Sequence, residues 1–240
     1  MKAIVISKPG GPEVLEYRDV PDPVPDPEDL LVRIHATALN RADLLQRAGN
    51  YPQPGPKAAF DIPGLEFSGE VVAAGERTDG FAPGDRVMGL LAGGGYAEQT
   101  VIHHRLAMTA PANLSWHEAG GVPEVYITAH DALLQCDLVA GERVLIHAAG
   151  SGVGVAAIQI AKMMGSSFVS GTAGSDEKLD RARALGMDLG INYRTHDFAD
   201  EVLKATDGQG VDVLLDVIGA DYWERNMRSL ARKGRMVIVG

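Results

Sequence analysis

The run best suited to chemistry is Arg143-Val144-Leu145-Ile146-His147-Ala148-Ala149-Gly150-Ser151-Gly152-Val153-Gly154, where an apolar lead breaks into small residues. Val153, Ala156, Ala157, Ile160, Ala161 and Met164 then recur at helical spacing, so the segment reads strand, tight turn, helix. Small residues let a backbone approach a pyrophosphate, and the free N–H groups opening the next helix receive its charge. The expected ligand of Ser151, Gly152, Val153 and Gly154 is therefore a dinucleotide. The register departs from G-x-G-x-x-G, with Ala149 and Ser151 in the first two glycine places and Gly154 in the third. A turn that merely packs a helix on a sheet is the competing reading.

A second strand, expected at 167–172, ends in Ser170-Gly171-Thr172-Ala173-Gly174-Ser175, with Lys178 in the helix that follows. NAD binders carry an acidic residue at this strand end to hold the ribose 2′-hydroxyl. Small hydroxylated residues, a helix start and a lysine suit a 2′-phosphate instead, which favours NADPH. The alternatives stay open: Ser175 as a plain cap, Lys178 as a solvated charge, and Asp176 as the acidic residue of an NADH site.

Other chemistries lack carriers. Cys136 is the single cysteine, and the pair His103-His104 is expected to point to opposite faces of a strand, so neither offers a zinc set. His35 and His147 fall on expected strands and read as hydrogen-bonded core or edge residues. None of the six tyrosines has a lysine four residues on, so a Tyr-x-x-x-Lys dyad is missing. With no nucleophile or acid/base constellation, the cofactor itself is expected to carry the reaction.

These residues need a scaffold. Residues 1 to about 115 show short alternating runs broken by Gly and Pro, the pattern of a β-rich barrel or sandwich. Pro21 to Pro27 reads as a stiff connector, Leu30 to His35 as a strand, Leu39 to Gln46 as a helical turn, and Asn50 to Pro56 as an irregular loop with Tyr51 at its head. Ser115-Trp116-His117-Glu118 has capping-box spacing and opens a helix, and another is expected from Tyr126 to Leu138. Strand and helix then alternate: strands at 143–148, 167–172, 188–191, 211–216 and 235–239, helices at 153–165, 176–185, 198–205 and 221–231. Ser175 and Thr195 stand at the expected N-caps. This is a doubly wound parallel sheet of five strands where six are usual, so the sheet reads as truncated at its C-terminus.

A length of 240 residues with 45% hydrophobic content supports two domains, drawn at 1–122 and 123–240. A net charge of −10 argues against nucleic acid or an anionic membrane surface as partner. One cysteine and an N-terminal apolar run too short for a signal peptide fit a cytoplasmic protein.

Several motifs in order carry a family resemblance: Leu39-Asn40-Arg41-Ala42-Asp43-Leu44, Pro63-Gly64-Leu65-Glu66, Pro83-Gly84-Asp85-Arg86-Val87, Gly93-Gly94-Gly95-Tyr96-Ala97-Glu98, Ile146 through Gly154, Ile191-Asn192-Tyr193 and Asp216-Val217-Ile218-Gly219. The whole chain resembles the zinc-free quinone oxidoreductase branch of the medium-chain dehydrogenase/reductase superfamily, of the p53-inducible quinone oxidoreductase and ζ-crystallin type. The resemblance implies a GroES-like β-barrel domain followed by a Rossmann-type sheet, with chain beyond the fifth strand in family members that finishes the sheet and forms a homodimer edge. It implies that Asn40, Leu65 and Glu124 stand where zinc-dependent relatives carry metal ligands. Asn40, Asp43 and Tyr51 would line the quinone and nicotinamide pocket. Thr128 and Ser151 to Gly154 would hold the nicotinamide and pyrophosphate end, and Gly174, Lys178 and Tyr193 the adenosine phosphate. Plainer roles compete: Tyr51 as a loop anchor, Asp43 as a brace for Asn40, Tyr193 as a surface aromatic. The implied reaction is hydride transfer from NADPH to a quinone, with reduction of α,β-unsaturated carbonyls, or NADPH binding without catalysis, as alternatives.

Overall fold

The computed structural model describes residues 1–51 and 59–240; of the loop expected at 50–56, residues 52–56 lie outside the described residues. The chain divides into two compact units, Met1–Glu124 and Val125–Gly240. Among the described residues no helix is long and apolar enough to cross a membrane.

In the first unit β1 (Lys2–Ile6) and β2 (Leu15–Asp19) form an antiparallel pair. Then come β3 (Asp29–Ala36), α1 (Arg41–Arg47), β4 (Glu66–Ala74), β5 (Arg86–Leu90), β6 (Gln99–His103), β7 (Ala107–Thr109) and α2 (Trp116–Gly120). The five longer-range strands make one antiparallel sheet in the order β6-β3-β4-β5-β7. Alternation on β3 buries Leu30 and Val32, which meet Phe67, Val71, Val87 and Ile102 in the core. The expected capping box is present: Ser115 Oγ accepts from Glu118 N at 3.2 Å, and the Glu118 carboxylate accepts from Ser115 N at 2.8 Å. Beyond β6 the alternation rule fails for the histidine pair. The strand ends at His103, so His104 turns back and the two rings stack with centroids 5.0 Å apart, not on opposite faces.

The helix α3 (Pro123–Gln135) begins three residues before the expected Tyr126, because Pro123 supplies a preset φ at the helix start and needs no N–H partner there. The remaining elements are β8 (Arg143–Ile146), α4 (Gly152–Met163), β9 (Phe168–Ala173), α5 (Asp176–Arg183), β10 (Leu189–Asn192), α6 (Phe198–Ala205), β11 (Val211–Asp216), α7 (Trp223–Ser229) and β12 (Leu230–Ile238). The strands are parallel in the order β10-β9-β8-β11-β12, and the order reverses beside β8. Continuous apolar strands such as Val213-Leu214-Leu215 are buried by helices on both faces. Two expectations need correction. The cap of α6 is Asp197, whose carboxylate accepts from Ala199 N and Asp200 N, while Thr195 Oγ1 donates to Asn192 O in the turn before it. The last strand starts at Leu230, not 235, and shortens the preceding helix; Lys233, at φ 65°, accompanies the register shift between Val211 and Val213 that absorbs the extra residues.

Candidate functional site

In the second unit the chain leaves β8 and turns sharply at Ala148, whose φ of 49° lies in the left-handed region. Ser151 caps α4, its Oγ accepting from Gly154 N at 3.1 Å. The amides of Gly152 and Val153 have no protein acceptor among the described residues, the arrangement that receives a phosphate. Close packing explains Gly154: a Cβ there would lie 2.4 Å from Ala148 O. Sequence reasoning assigned Ser151, Gly152, Val153 and Gly154 to this bend, and the structure gathers all four around it. A bare backbone, two free amides and a helix start fit a dinucleotide pyrophosphate. Thr128 of α3 lines a cavity of about 380 Å³ with Ile127, Asp131 and the end of β12, and one turn earlier in the same helix Val125 packs on the bend, where a Cβ on Gly152 would lie 2.8 Å from its Cγ1.

At the end of β9, a Cβ on Gly174 would lie 2.6 Å from Tyr193 Oη and 3.2 Å from Arg194 Nε. The Lys178 stem packs over Gly150, joining the helix after β9 to the bend after β8. Among the described residues the Lys178 ammonium, the Tyr193 hydroxyl and the Arg194 guanidinium make no hydrogen bond or ion pair within the protein. Ser175 is at the N-cap of α5 with its hydroxyl free of any capping bond. The neighbouring carboxylate, Asp176, is taken by Asn192 Nδ2 at 3.0 Å. Arg194 was not singled out from the sequence, although it directly follows Tyr193 in the turn.

Beneath the bend His147 is fully buried. Its Nδ1 is 2.9 Å from Thr172 Oγ1 and its Nε2 is 2.7 Å from Asn226 Oδ1. Asn226 Nδ2 donates to Asp216 Oδ2 at 2.9 Å, and Asp216 Oδ1 accepts from Ile218 N and Gly219 N. Because the Asn226 amide donates to Asp216, its oxygen must accept from His147, which assigns the proton to Nε2 and makes Thr172 the donor to Nδ1. Burial holds the His147 pKa below its usual value. The chain thus ties the ends of β8, β9 and β11 together with α7.

In the first unit Asn40 and Asp43 are joined, as the brace reading expected. Asp43 Oδ2 accepts from Asn40 N at 2.7 Å and from Tyr96 Oη at 2.8 Å, and its Oδ1 accepts from Gly64 N at 3.1 Å. Gly64 is required here, since its φ is 106° and a Cβ would lie 2.6 Å from Tyr96 N. The Asn40 side chain turns to Glu66, donating Nδ2–H to Oε1 at 2.8 Å, while Glu124 N donates to Oε2 at 2.9 Å. Burial pushes the Glu66 carboxyl above its ordinary range, against the pull of those two donors. Glu124 is raised by burial and then by the Glu66 and Asp43 charges, and the Tyr96 hydroxyl by burial and then by Asp43. Tyr51 is elsewhere in this unit, lining a cavity with Gln46, Phe60 and Asp61 that neither Asn40 nor Asp43 lines. Glu66 and Tyr96 escaped sequence reasoning as site residues; the available signal was a carboxylate at the head of the strand that begins Glu66-Phe67.

Comparison with known proteins agrees with this fold. Residues 26–132 match the family described as alcohol dehydrogenase GroES-like domain, and residues 152–240 the family described as zinc-binding dehydrogenase. A quinone oxidoreductase of Pseudomonas aeruginosa is 37% identical over 243 residues, covering all of this chain and 73% of that protein. Among solved structures, an NAD-dependent alcohol dehydrogenase superposes with a TM-score of 0.92 at 38% identity, over 99% of this chain and 77% of that one. The CurK enoyl reductase superposes with a TM-score of 0.92 at 32% identity, over 100% of this chain and 74% of that one. With both halves matched and oxidoreductase relatives similar along its whole length, the chain belongs to the medium-chain dehydrogenase/reductase superfamily, oxidoreductases that use a nicotinamide cofactor.

Proposed function

We propose that the protein is an NADPH-dependent, zinc-independent reductase of quinones. The observation that supports the cofactor choice is the end of β9, where Tyr193 and Arg194 beside Gly174, and Lys178 over Gly150, offer unpaired donors among the described residues, and Asn192 Nδ2 donates to one oxygen of Asp176. Such a set attracts a 2′-phosphate. Bound NADPH supplies a hydride to an acceptor held against its ring. The amides of Gly152 and Val153 receive the pyrophosphate, Ser151 orients them by capping α4, and Thr128 contributes at the nicotinamide end. Gly174, Ser175, Lys178 and Tyr193 hold the adenosine phosphate. Asn40 bonds the acceptor and Asp43 keeps Asn40 in place, whereas Tyr51, in a separate cavity, is not part of this set. Zinc independence rests on the donor set: Leu65 has no metal-binding atom, and both oxygens of Glu66 already accept hydrogen bonds. Among the described residues no group of three His, Cys, Asp or Glu side chains could hold a metal ion.

Similarity to the CurK enoyl reductase favours a second reading, reduction of α,β-unsaturated carbonyls. Initial rates with NADPH and NADH, against a quinone and an enone, decide. The expected result is quinone turnover with NADPH in preference to NADH, and about a tenfold loss of NADPH kcat/KM in Lys178→Met with NADH rates unchanged. Preference for NADH would sink the cofactor assignment, and faster enone turnover would select the second reading.

A further inference from the structure

We propose that Glu66 is a positioning residue that sets the polarity of the Asn40 amide, and with it which acceptors the site takes. The inference rests on the reading that Asn40 contacts the acceptor. Its basis is a count of donors. Each oxygen of the Glu66 carboxyl accepts one hydrogen bond, and the residue is 1% exposed: Asn40 Nδ2 donates at 2.8 Å to one oxygen and Glu124 N at 2.9 Å to the other. The Glu124 donor belongs to the backbone and cannot rotate away. The Asn40 backbone is held as well, because Asp43 accepts its N–H at 2.7 Å. The two torsions of the asparagine side chain are then set by two partners: the capping box turns its oxygen toward the Asp43 backbone N–H, and Glu66 takes Nδ2. Nδ2 faces Glu66, so Oδ1 and the second Nδ2 hydrogen face away from it. A carboxylate partner also strengthens that bond relative to a neutral one, making the orientation hard to reverse.

The polarity matters for a quinone. Its carbonyl oxygen gains negative charge as hydride arrives and needs a donor, and once that oxygen has taken a proton from solvent the hydroquinone presents an O–H that needs an acceptor. An asparagine fixed with one free N–H, and with Oδ1 facing only the Asp43 N–H of the capping box, serves both, whereas an amide turned the other way spends Oδ1 on residue 66. Glu66→Gln tests this without changing volume. The substituted side chain has one acceptor and one donor group. The immovable Glu124 N–H takes the acceptor, so the new amide nitrogen meets Asn40 and only Oδ1 of Asn40 can face it.

The experiment is a double-mutant cycle of Glu66→Gln and Asn40→Leu, with NADPH and a quinone, alongside NMR of protein labelled with 15N-asparagine. The expected result is a fall of about tenfold in kcat/KM for the quinone in Glu66→Gln, an unchanged KM for NADPH, and less than about a twofold effect of Glu66→Gln once Asn40 is leucine. An undiminished effect in the Asn40→Leu background, or an unchanged rate in Glu66→Gln alone, overturns the proposal. The NMR needs no turnover and no stable variant of Glu66. In the wild type, the Asn40 side-chain amide pair, identified by its loss in Asn40→Leu, is expected to be shifted from the free-amide position and slow to exchange. A pair at the free-amide position overturns the proposal too. Failure of the wild type to reduce any quinone with either cofactor would instead remove the reading on which it rests, leaving the NMR to judge Glu66.

Discussion

His147 shows how a single buried side chain can govern a site it does not enter. Its two ring nitrogens are both engaged, by Thr172 and Asn226, so a second ring proton is received only if the Thr172 hydroxyl gives up its bond to Nδ1 and turns to accept. Burial lowers its pKa, and the sign of the consequence follows. As pH falls below about 6.5, the unfolded chain binds a proton on this ring that the folded chain refuses, so stability declines through that window toward the depressed folded value. Urea midpoints measured between pH 8 and 5.5 should fall with pH in the wild type and fall less steeply in His147→Leu. Equal slopes would refute the assignment of a neutral, fully engaged ring. Asp43 plays the comparable part in the other unit, where three donors converge on one carboxylate. Its brace for Asn40 was legible because the two residues are three apart in a helix start, whereas Glu66 reaches Asn40 across 26 positions, which no local pattern encodes.

Elements matter here mainly through their ends. The bend between β8 and α4 works because Gly154 lets the first turn of α4 sit against Ala148 O, and a Cβ would intrude on backbone, not on a side chain that could move. Gly154→Ala is expected to cost about 1–3 kcal/mol of stability. It should also weaken NADPH binding by displacing the Gly152 and Val153 amides. Calorimetric titration of the variant checks this, and unchanged affinity would show that the bend does not bind the pyrophosphate. At the opposite ends of the strands, Arg235 of β12 closes the sheet onto the segment before β8. Its guanidinium takes both Glu142 oxygens at 2.7 and 2.8 Å and the carbonyls of Cys136 and Asp137. The Glu142 bonds hold that carboxyl below its ordinary pKa range and raise Arg235 in turn.

The molecule as a whole comprises two units with separate hydrophobic cores, and each contains one of the two tryptophans, Trp116 and Trp223. Trp116 is stacked on His35 with ring centroids 4.5 Å apart, and the Arg86 guanidinium lies 4.1 Å from its ring, a setting that unfolding must change. Trp116→Phe and Trp223→Phe variants therefore report on one unit each. If NADPH is held by residues of the second unit, a concentration about one hundred times Kd should raise the stability reported by Trp223 by about 2.7 kcal/mol. Denaturation followed by fluorescence in both variants measures it. No shift at Trp223 would mean that the cofactor binds elsewhere.

Order and type of elements in the second unit were determined by the sequence alone, whereas β2 and β7 of the first unit were not foreseen. The period of two in residues 30–35, the capping box at Ser115 and the alternation of apolar strands with helices after 143 are local signals, and the observed strands and helices follow them within a few residues. The bend at Ala148 to Gly154 was legible for the same reason, since small residues between a strand and a helix permit few other backbones. Tertiary structure decided which distant side chains share a hydrogen bond. Glu66 with Asn40 and Glu124, His147 with Asn226, and Arg235 with Glu142 are separated by 26, 58, 79 and 93 positions respectively. Those pairings depend on strand order and register, and a buried polar group finds its partner only after the chain has closed around it.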